Sequence, residues 1–287
     1  MKLSSQQISA FTYAAREKSF SKAARSLGVT QSAITQHVSN LERLMGAQLF
    51  VRRRDGLELT RPAKELFALS DRMCTMEQQI AEKVETYNSL TAGHLQIIAN
   101  APCPSLPVIA RYREQHPTVR ISFTLCSWTR AMSMLKAREI DVAVVTEPER
   151  IDGLFFMELE RTRYLAYLPS NHRLAKRRSI SLADLADEAV VLPEDGSLTQ
   201  KLITERAKLH ETPLNRIVQM TTFPVVREAV LHGIGIGIML EGSCFPSHDV
   251  TARPVREIPE TFGTYLVTTV DKSQLRLVRS FIDVATI

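Results

Sequence analysis

Apolar residues near the start of the chain recur at helical spacing. Ile8, Phe11, Ala14 and Ala15 share one face and predict an amphipathic helix ending near Lys18. Ser21 is placed to cap a short second helix, Lys22 to Leu27, in which Ala23 and Ala24 allow close packing. Gly28 follows where a sharp turn needs left-handed backbone, and Thr30 can cap a third helix running to about Leu44. Ala24, Gly28 and Ile34 supply the small crossing residue, the turn glycine and the branched residue that a helix-turn-helix requires. Ile34, Val38 and Leu41 take the inner face, which leaves Gln31, Ser32, Thr35, Gln36 and Ser39 on the outer one. Such short polar side chains can hydrogen-bond base edges in a major groove, and glutamine can pair with adenine. The alternative is a solvated face of a small bundle.

After Gly46 the period shortens to two. Leu49-Phe50-Val51 and Leu57-Glu58-Leu59 flank Asp55-Gly56, a hairpin signal, and Arg52, Arg53 and Arg54 sit on it. Arginines there would lie along phosphates or enter a minor groove, giving affinity that falls with salt. From Pro62 to about Asn88 the pattern becomes an a/d heptad, with Leu66, Leu69, Met73, Met76, Ile80 and Tyr87 on one stripe and Lys83 interrupting it. A helix of that length is ~40 Å long and must bury the stripe, either on a second copy through Leu66, Leu69, Met73, Met76 and Ile80 or on its own body.

Ser89 to Gly93 reads as a hinge. Strands then alternate with helices: Leu95–Ala99, Val119–Leu125 and Ile140–Val145 as strands, with helices over Leu106–Gln115 and Ala131–Ala137. A second set has strands near Tyr164–Leu168, Glu188–Leu192, Ile217–Met220 and Gly235–Leu240. The last strand, Thr264–Thr269, and its following helix are expected to rejoin the first set. The alternation implies a parallel sheet with ligands at the strand carboxyl ends. Gly233, Gly235 and Gly237 do not make a nucleotide loop, because a helix precedes them and a strand follows, the reverse of the fingerprint order.

Length and composition fit this division. With 287 residues, 44% hydrophobic and 23% charged, the chain has material for two or three domains and no apolar run near the ~20 residues of a membrane span. The net charge of +5 is unevenly placed: residues 1–64 hold 11 Lys+Arg against 4 Asp+Glu, the remainder 25 against 27. A basic module on a near-neutral body points to a polyanion at one end. Cys74, Cys103, Cys126 and Cys244 are scattered and the seven histidines show no ligand spacing, so neither a metal site, a disulfide framework nor a cofactor is implied. The N-terminus lacks an apolar h-region, and the expectation is a cytoplasmic chain.

The stretch Phe11 to Thr60 resembles the LysR-type transcriptional regulators. Ser19-Phe20-Ser21-Lys22-Ala23-Ala24, Leu27-Gly28-Val29-Thr30-Gln31-Ser32-Ala33-Ile34, Leu41-Glu42 and Leu49-Phe50 with the arginines after it carry the likeness. Pro62-Ala63 departs from the family's usual Ala-Gly, harmlessly in a first helical turn. The resemblance implies an α+β multidomain chain: a winged helix-turn-helix over 1–60, a linker and dimerisation helix over 61–88, and an effector domain over 89–287. That domain would be a periplasmic-binding-protein-like fold of two subdomains, about 93–162 plus 266–287 and about 163–265. The implied partners are a double-stranded DNA operator, a small-molecule effector, a second or further copies as homodimer or homotetramer, and RNA polymerase.

The cleft can be read from loops after successive strands. Asn100, Cys103, Ser127, Trp128, Thr129 and Thr146 follow strands of the first set; Ser197, Thr199, Thr222 and Phe223 are their counterparts. Ser197 and Thr199 at a helix start suit an anion, although capping explains them equally, and Trp128 could hold a cation or ring or be core. Glu194 to Gln200 and Asp141 to Thr146 resemble a LysR-type subgroup associated with aminoethylphosphonate catabolism, which suggests 2-aminoethylphosphonate; other small carboxylates stay open. The functional classes weighed are a ligand-responsive regulator, an enzyme with an N-terminal nucleic-acid anchor, and an architectural DNA-binding protein. No Gly-x-Ser-x-Gly or P-loop favours the enzyme.

Overall fold

The computed structural model describes residues 3–53, 56–84, 93–221, 223–243 and 248–286, the side chains of 83 and 84 excepted. The chain forms two compact units: residues 1–89 with 136–139 and 274–276, and residues 90–135, 140–273 and 277–287.

In the first unit, α1 (Ser5–Glu17) starts from Ser4, whose hydroxyl accepts from the Gln7 amide while the Gln7 side chain caps the Ser4 N–H. Helix α2 (Phe20–Leu27) is capped by Ser19, not Ser21, and so begins a residue or two earlier than its sequence suggested. Gly28 closes it in the left-handed conformation, and Thr30 caps α3 (Gln31–Met45). Ala10, Ala14, Ala23, Ala24, Ile34 and Val38 form one buried cluster; Phe11, Leu41, Leu49, Ala63 and Phe67 form another. Strands β1 (Phe50–Arg53) and β2 (Gly56–Leu59) pair antiparallel as the wing. At Gly56 any Cβ would stand 2.7 Å from the Lys18 carbonyl oxygen, so only glycine lets the hairpin approach the end of α1. Helix α4 (Arg61–Val84) follows.

The second unit contains β3 (Gly93–Ala99), α5 (Ser105–Gln115), β4 (Val119–Leu125), α6 (Trp128–Lys136), β5 (Val142–Thr146), β6 (Leu154–Pro169), α7 (Leu182–Leu185), β7 (Ala189–Pro193), α8 (Leu198–Leu209), β8 (Arg216–Met220), α9 (Phe223–Leu231), β9 (Ile236–Leu240), β10 (Val250–Pro254), β11 (Thr261–Thr269) and α10 (Arg276–Ala285). The strands run β4-β3-β5-β11-β6-β9-β7-β8, with β10 added on β6.

The sheet is mixed, which corrects the all-parallel expectation. β3 pairs in parallel with β4 and β5, and β7 with β8 and β9, but β6 and β11 run antiparallel to each other and join the two parallel sets. Those two strands make two subdomains out of one chain. Only Tyr164–Leu168 of β6 was legible, because Glu158, Glu160, Arg161 and Arg163 hide the rest of its 16 residues from an apolar pattern. Gly235 lies where a Cβ would meet the Ala189 carbonyl oxygen at 2.3 Å, so the glycine run serves helix ending and strand packing.

Candidate DNA-binding face and effector cleft

The outer face of α3 is polar and open. Gln31, Ser32, Thr35, Gln36 and Ser39 are all exposed, above the buried Ile34, Val38 and Leu41. Their bonds are local and replaceable: Thr35 Oγ1 donates to the Gln31 carbonyl, Gln36 Nε2 to Asn40 Oδ1, and Ser32 pairs with Thr30. Beside α3, Arg52 and Arg53 stand exposed on β1. Arg53 Nε meets Glu58 Oε2 at 2.9 Å, but both side chains are more than half exposed and such a pair is worth ~0–1 kcal/mol, so a phosphate can displace it. Arg54 lies outside the described residues.

On α4 the predicted stripe divides. Leu69, Met73, Met76 and Ile80 are exposed, whereas Leu66 is half-buried against the Phe11–Phe67 cluster of its own chain and leaves the stripe. A helix-period pattern could not distinguish the turn that packs on the head from the turns beyond it.

A cleft lies between the two halves of the sheet, lined by Asn100, Leu125, Cys126, Ser127, Trp128, Pro193, Glu194, Ser197, Leu198, Thr199, Thr221 and Phe223. Six of the sequence candidates come together here. Cys103 and Thr129 are not among the lining residues, and Thr222 lies outside the described residues. Thr146 stands behind the wall: its carbonyl accepts from Trp128 Nε1 at 3.0 Å, its N–H donates to Asn100 Oδ1, and its hydroxyl meets that of Thr264. Trp128 opens α6 instead of lying in a loop.

Hydroxyls expected to face a ligand are engaged within the fold. Ser197 Oγ accepts from the Gln200 N–H at 3.0 Å as the α8 cap, and the buried Thr199 donates to the Tyr164 hydroxyl at 3.2 Å. Burial pushes that tyrosine far above its ordinary range, so it stays a neutral phenol. Two charges not singled out from the sequence stand here. Glu194 supplies a half-buried carboxylate to the lining, and Lys201, exposed and outside the lining, sits with its Nζ 5.0 Å from the Trp128 ring centre. Both belong to ordinary-looking segments, a strand end and a helix turn, and only the fold sets them together. Burial, with Glu194, raises the Cys126 thiol despite Arg130, and burial with Glu160 raises Cys103, which favours the protonated thiol in both.

Thr129 closes the cleft. Its hydroxyl donates to the Gly196 carbonyl at 2.9 Å, joining α6 of one subdomain to the loop before α8 of the other. The space it leaves in the cleft is small, about 20 Å³, room for about one water. Among the described residues no group of three metal-ligating side chains occurs, and no helix is long and apolar enough to cross a membrane.

Residues 5–64 match the bacterial regulatory helix-turn-helix domain of the lysR family, and residues 88–286 the LysR substrate binding domain. The chain is 27% identical over 246 residues to the RuBisCO operon transcriptional regulator of Allochromatium vinosum, covering 83% of this chain and 80% of that one. A full-length OxyR variant from Pseudomonas aeruginosa superposes with a TM-score of 0.80 at 18% identity over 100% of this chain and 96% of that one. The Synechocystis CcmR regulatory domain in complex with 2-PG superposes at 0.59 and 18% identity, over 67% and 95%. Fold and site thus define a DNA-binding transcriptional regulator with an effector-binding domain. The chain belongs to the LysR family. An enzyme with a nucleic-acid anchor is thereby set aside.

Proposed function

We propose that this regulator, acting in the cytoplasm as a dimer or tetramer, reads an operator with α3 and the wing and changes its action at RNA polymerase when a small anionic or zwitterionic metabolite opens the Thr129–Gly196 contact. The working division is 1–60 for the DNA-binding head, 61–88 for the linker and 89–287 for the effector domain. The observation that carries the reading is a pair of opposite charges at the cleft, Glu194 in its lining and the exposed Lys201 over Trp128, with Thr129 bonded across to Gly196. A zwitterion satisfies both charges at once. The CcmR regulatory domain, of similar fold, is in complex with 2-PG, which supports a small-molecule effector for a domain of this fold. Among zwitterions, 2-aminoethylphosphonate is the first choice, since the Glu194–Gln200 segment resembles the aminoethylphosphonate subgroup.

Trp128 is the single tryptophan, so its emission reports the cleft directly. Titration with 2-aminoethylphosphonate is expected to shift that emission. Lys201→Met and Glu194→Gln should each weaken binding about tenfold, ~1.4 kcal/mol, with little effect on melting because neither side chain is buried. Saturation of DNA footprint changes by this compound with unaltered Trp128 emission would place the effector elsewhere.

For the head, Gln31→Ala and Thr35→Ala are expected to reduce discrimination between operator and random DNA, each by ~1–3 kcal/mol if its side chain contacts a base. Arg53→Ala should weaken binding to all sequences and lower the salt slope by about one. Fluorescence anisotropy at several salt concentrations separates the two; equal losses on both DNAs for all three variants would reject the groove assignment.

A further inference from the structure

A fully buried carboxylate on α4 is held between two guanidiniums. Asp71 Oδ1 accepts from Arg16 Nε of α1 and Asp71 Oδ2 from Arg138 Nε, each at 2.7 Å, all three residues belonging to the first compact unit. Arg16 Nη2 donates further to the Asp71 carbonyl and to Thr75 Oγ1, both at 3.3 Å. Burial alone would lower the Arg16 pKa; the Asp71 carboxylate outweighs it and raises Arg16 above its usual range, so Arg16 stays a cation. Desolvating three charges offsets much of their attraction, so what such a group secures is direction more than stability.

The directions are specific. Arg138 lies in the 136–139 turn between α6 and β5 and adopts φ 60°, a left-handed conformation unusual for arginine, to aim its side chain at Asp71. Its neighbour Glu139 lies 3.9 Å from Lys18 Nζ. Lys18 is the left-handed cap of α1, and its carbonyl accepts from the Leu57 N–H of the wing at 2.9 Å. The same turn therefore engages α1 through Asp71 and the wing through Lys18. At its other end α6 starts with Trp128 and Thr129 at the cleft; its nine residues make a rod of ~13 Å.

We propose that the Asp71 triad is the joint by which the cleft and the DNA-binding head set each other's state, with α6 as the connecting rod. The inference rests on the reading of that cleft as the effector site, yet its test needs no ligand. Coupling between two sites is reciprocal, so a perturbation at either end must be felt at the other. Hydrogen–deuterium exchange of the full-length protein, without DNA or effector, measures both directions. Arg138→Gln is expected to speed exchange at least fivefold in peptides covering residues 14–19, the wing and residues 66–76 of α4. Arg138→Lys, which keeps the charge without the fork, should have a smaller effect. From the other end, Thr129→Ala, which touches no triad atom, should speed exchange in the 136–139 turn and in residues 14–19. Glu82→Gln, which loosens the α10 start where Arg276 N–H donates to Glu82 Oε2, is the control and should leave the wing unchanged. If Arg138→Gln melts the head outright, Arg138→Lys and Thr129→Ala decide. Changes confined to residues 134–141, or an α1 and wing indifferent to Thr129→Ala, would overturn the joint. That outcome would leave the cleft's ligand role untouched, and a silent 2-aminoethylphosphonate titration would leave the joint standing.

Discussion

Replacing Phe11 with alanine is expected to melt the DNA-binding head at a much lower temperature while the second unit stays folded. Phe11 is fully buried, its ring 5.5 Å from Phe50 of the wing and 6.5 Å from Phe67 of α4, with Leu41, Leu49 and Ala63 completing the cluster. One side chain therefore ties α1, α3, the wing and α4 together. Deleting a phenylalanine from such a site costs ~3–5 kcal/mol in transfer and cavity terms. A unit of this size has a total stability of roughly 5–10 kcal/mol. Calorimetry should show the head's transition falling by roughly 15–30 °C and the body's by far less, with DNA binding lost at the temperatures between. Ile34→Val at the neighbouring cluster should cost only ~0.5–1.5 kcal/mol and spare binding. A variant that binds DNA with an unshifted melt would show that the head is not held together through Phe11.

Much of the head was legible because its instructions are local. Thr30 sits beside the helix it caps, Gly28 in the turn it permits, and Ile34, Val38 and Leu41 repeat at the period that buries them. The one slip, Ser21 for Ser19, arose between two serines equally able to cap. The body was legible where strands are apolar on both faces, as in Val142–Thr146, and illegible where a strand carries charge, as in the first half of β6. Its antiparallel connections could not be read at all, since strand direction depends on which partners meet across the sheet. In the cleft the sequence located the loops but not the chemistry. Thr199 could be placed at a helix start but not paired, since its partner Tyr164 is 35 positions away; nothing in the local pattern brings Lys201 to Trp128. The role of Asp71 was not legible at all, because the arginines that define it stand 55 and 67 residues from it.

Charging the α4 stripe is expected to dissociate the assembly and with it tight operator binding. Leu69, Met73, Met76 and Ile80 are 66%, 41%, 63% and 59% exposed, four apolar side chains on one stripe of a 24-residue helix. Each is worth ~1.5–3 kcal/mol when fully withdrawn from water. Nothing among the described residues of the first unit covers them, whereas Phe67, Ser70, Asp71, Cys74 and Thr75 on the opposite side of the helix are buried. A second copy of the same helix offers a complementary stripe, and Met73 stands in its middle. A glutamate there must bury a carboxylate, and in a symmetric pair it must do so twice, near its own image. Met73→Glu should therefore lower the sedimentation mass to that of one chain at micromolar concentration. Operator affinity should fall with it, since a tethered second head meets its half-site at an effective concentration near millimolar and a free one does not; the expected loss is about 10²–10⁴-fold. Affinity for a single half-site should be retained, because the α3 face and the wing do not touch the stripe. An unchanged mass together with unchanged operator affinity would exclude α4 as the interface and leave its exposed stripe without a partner of its own kind.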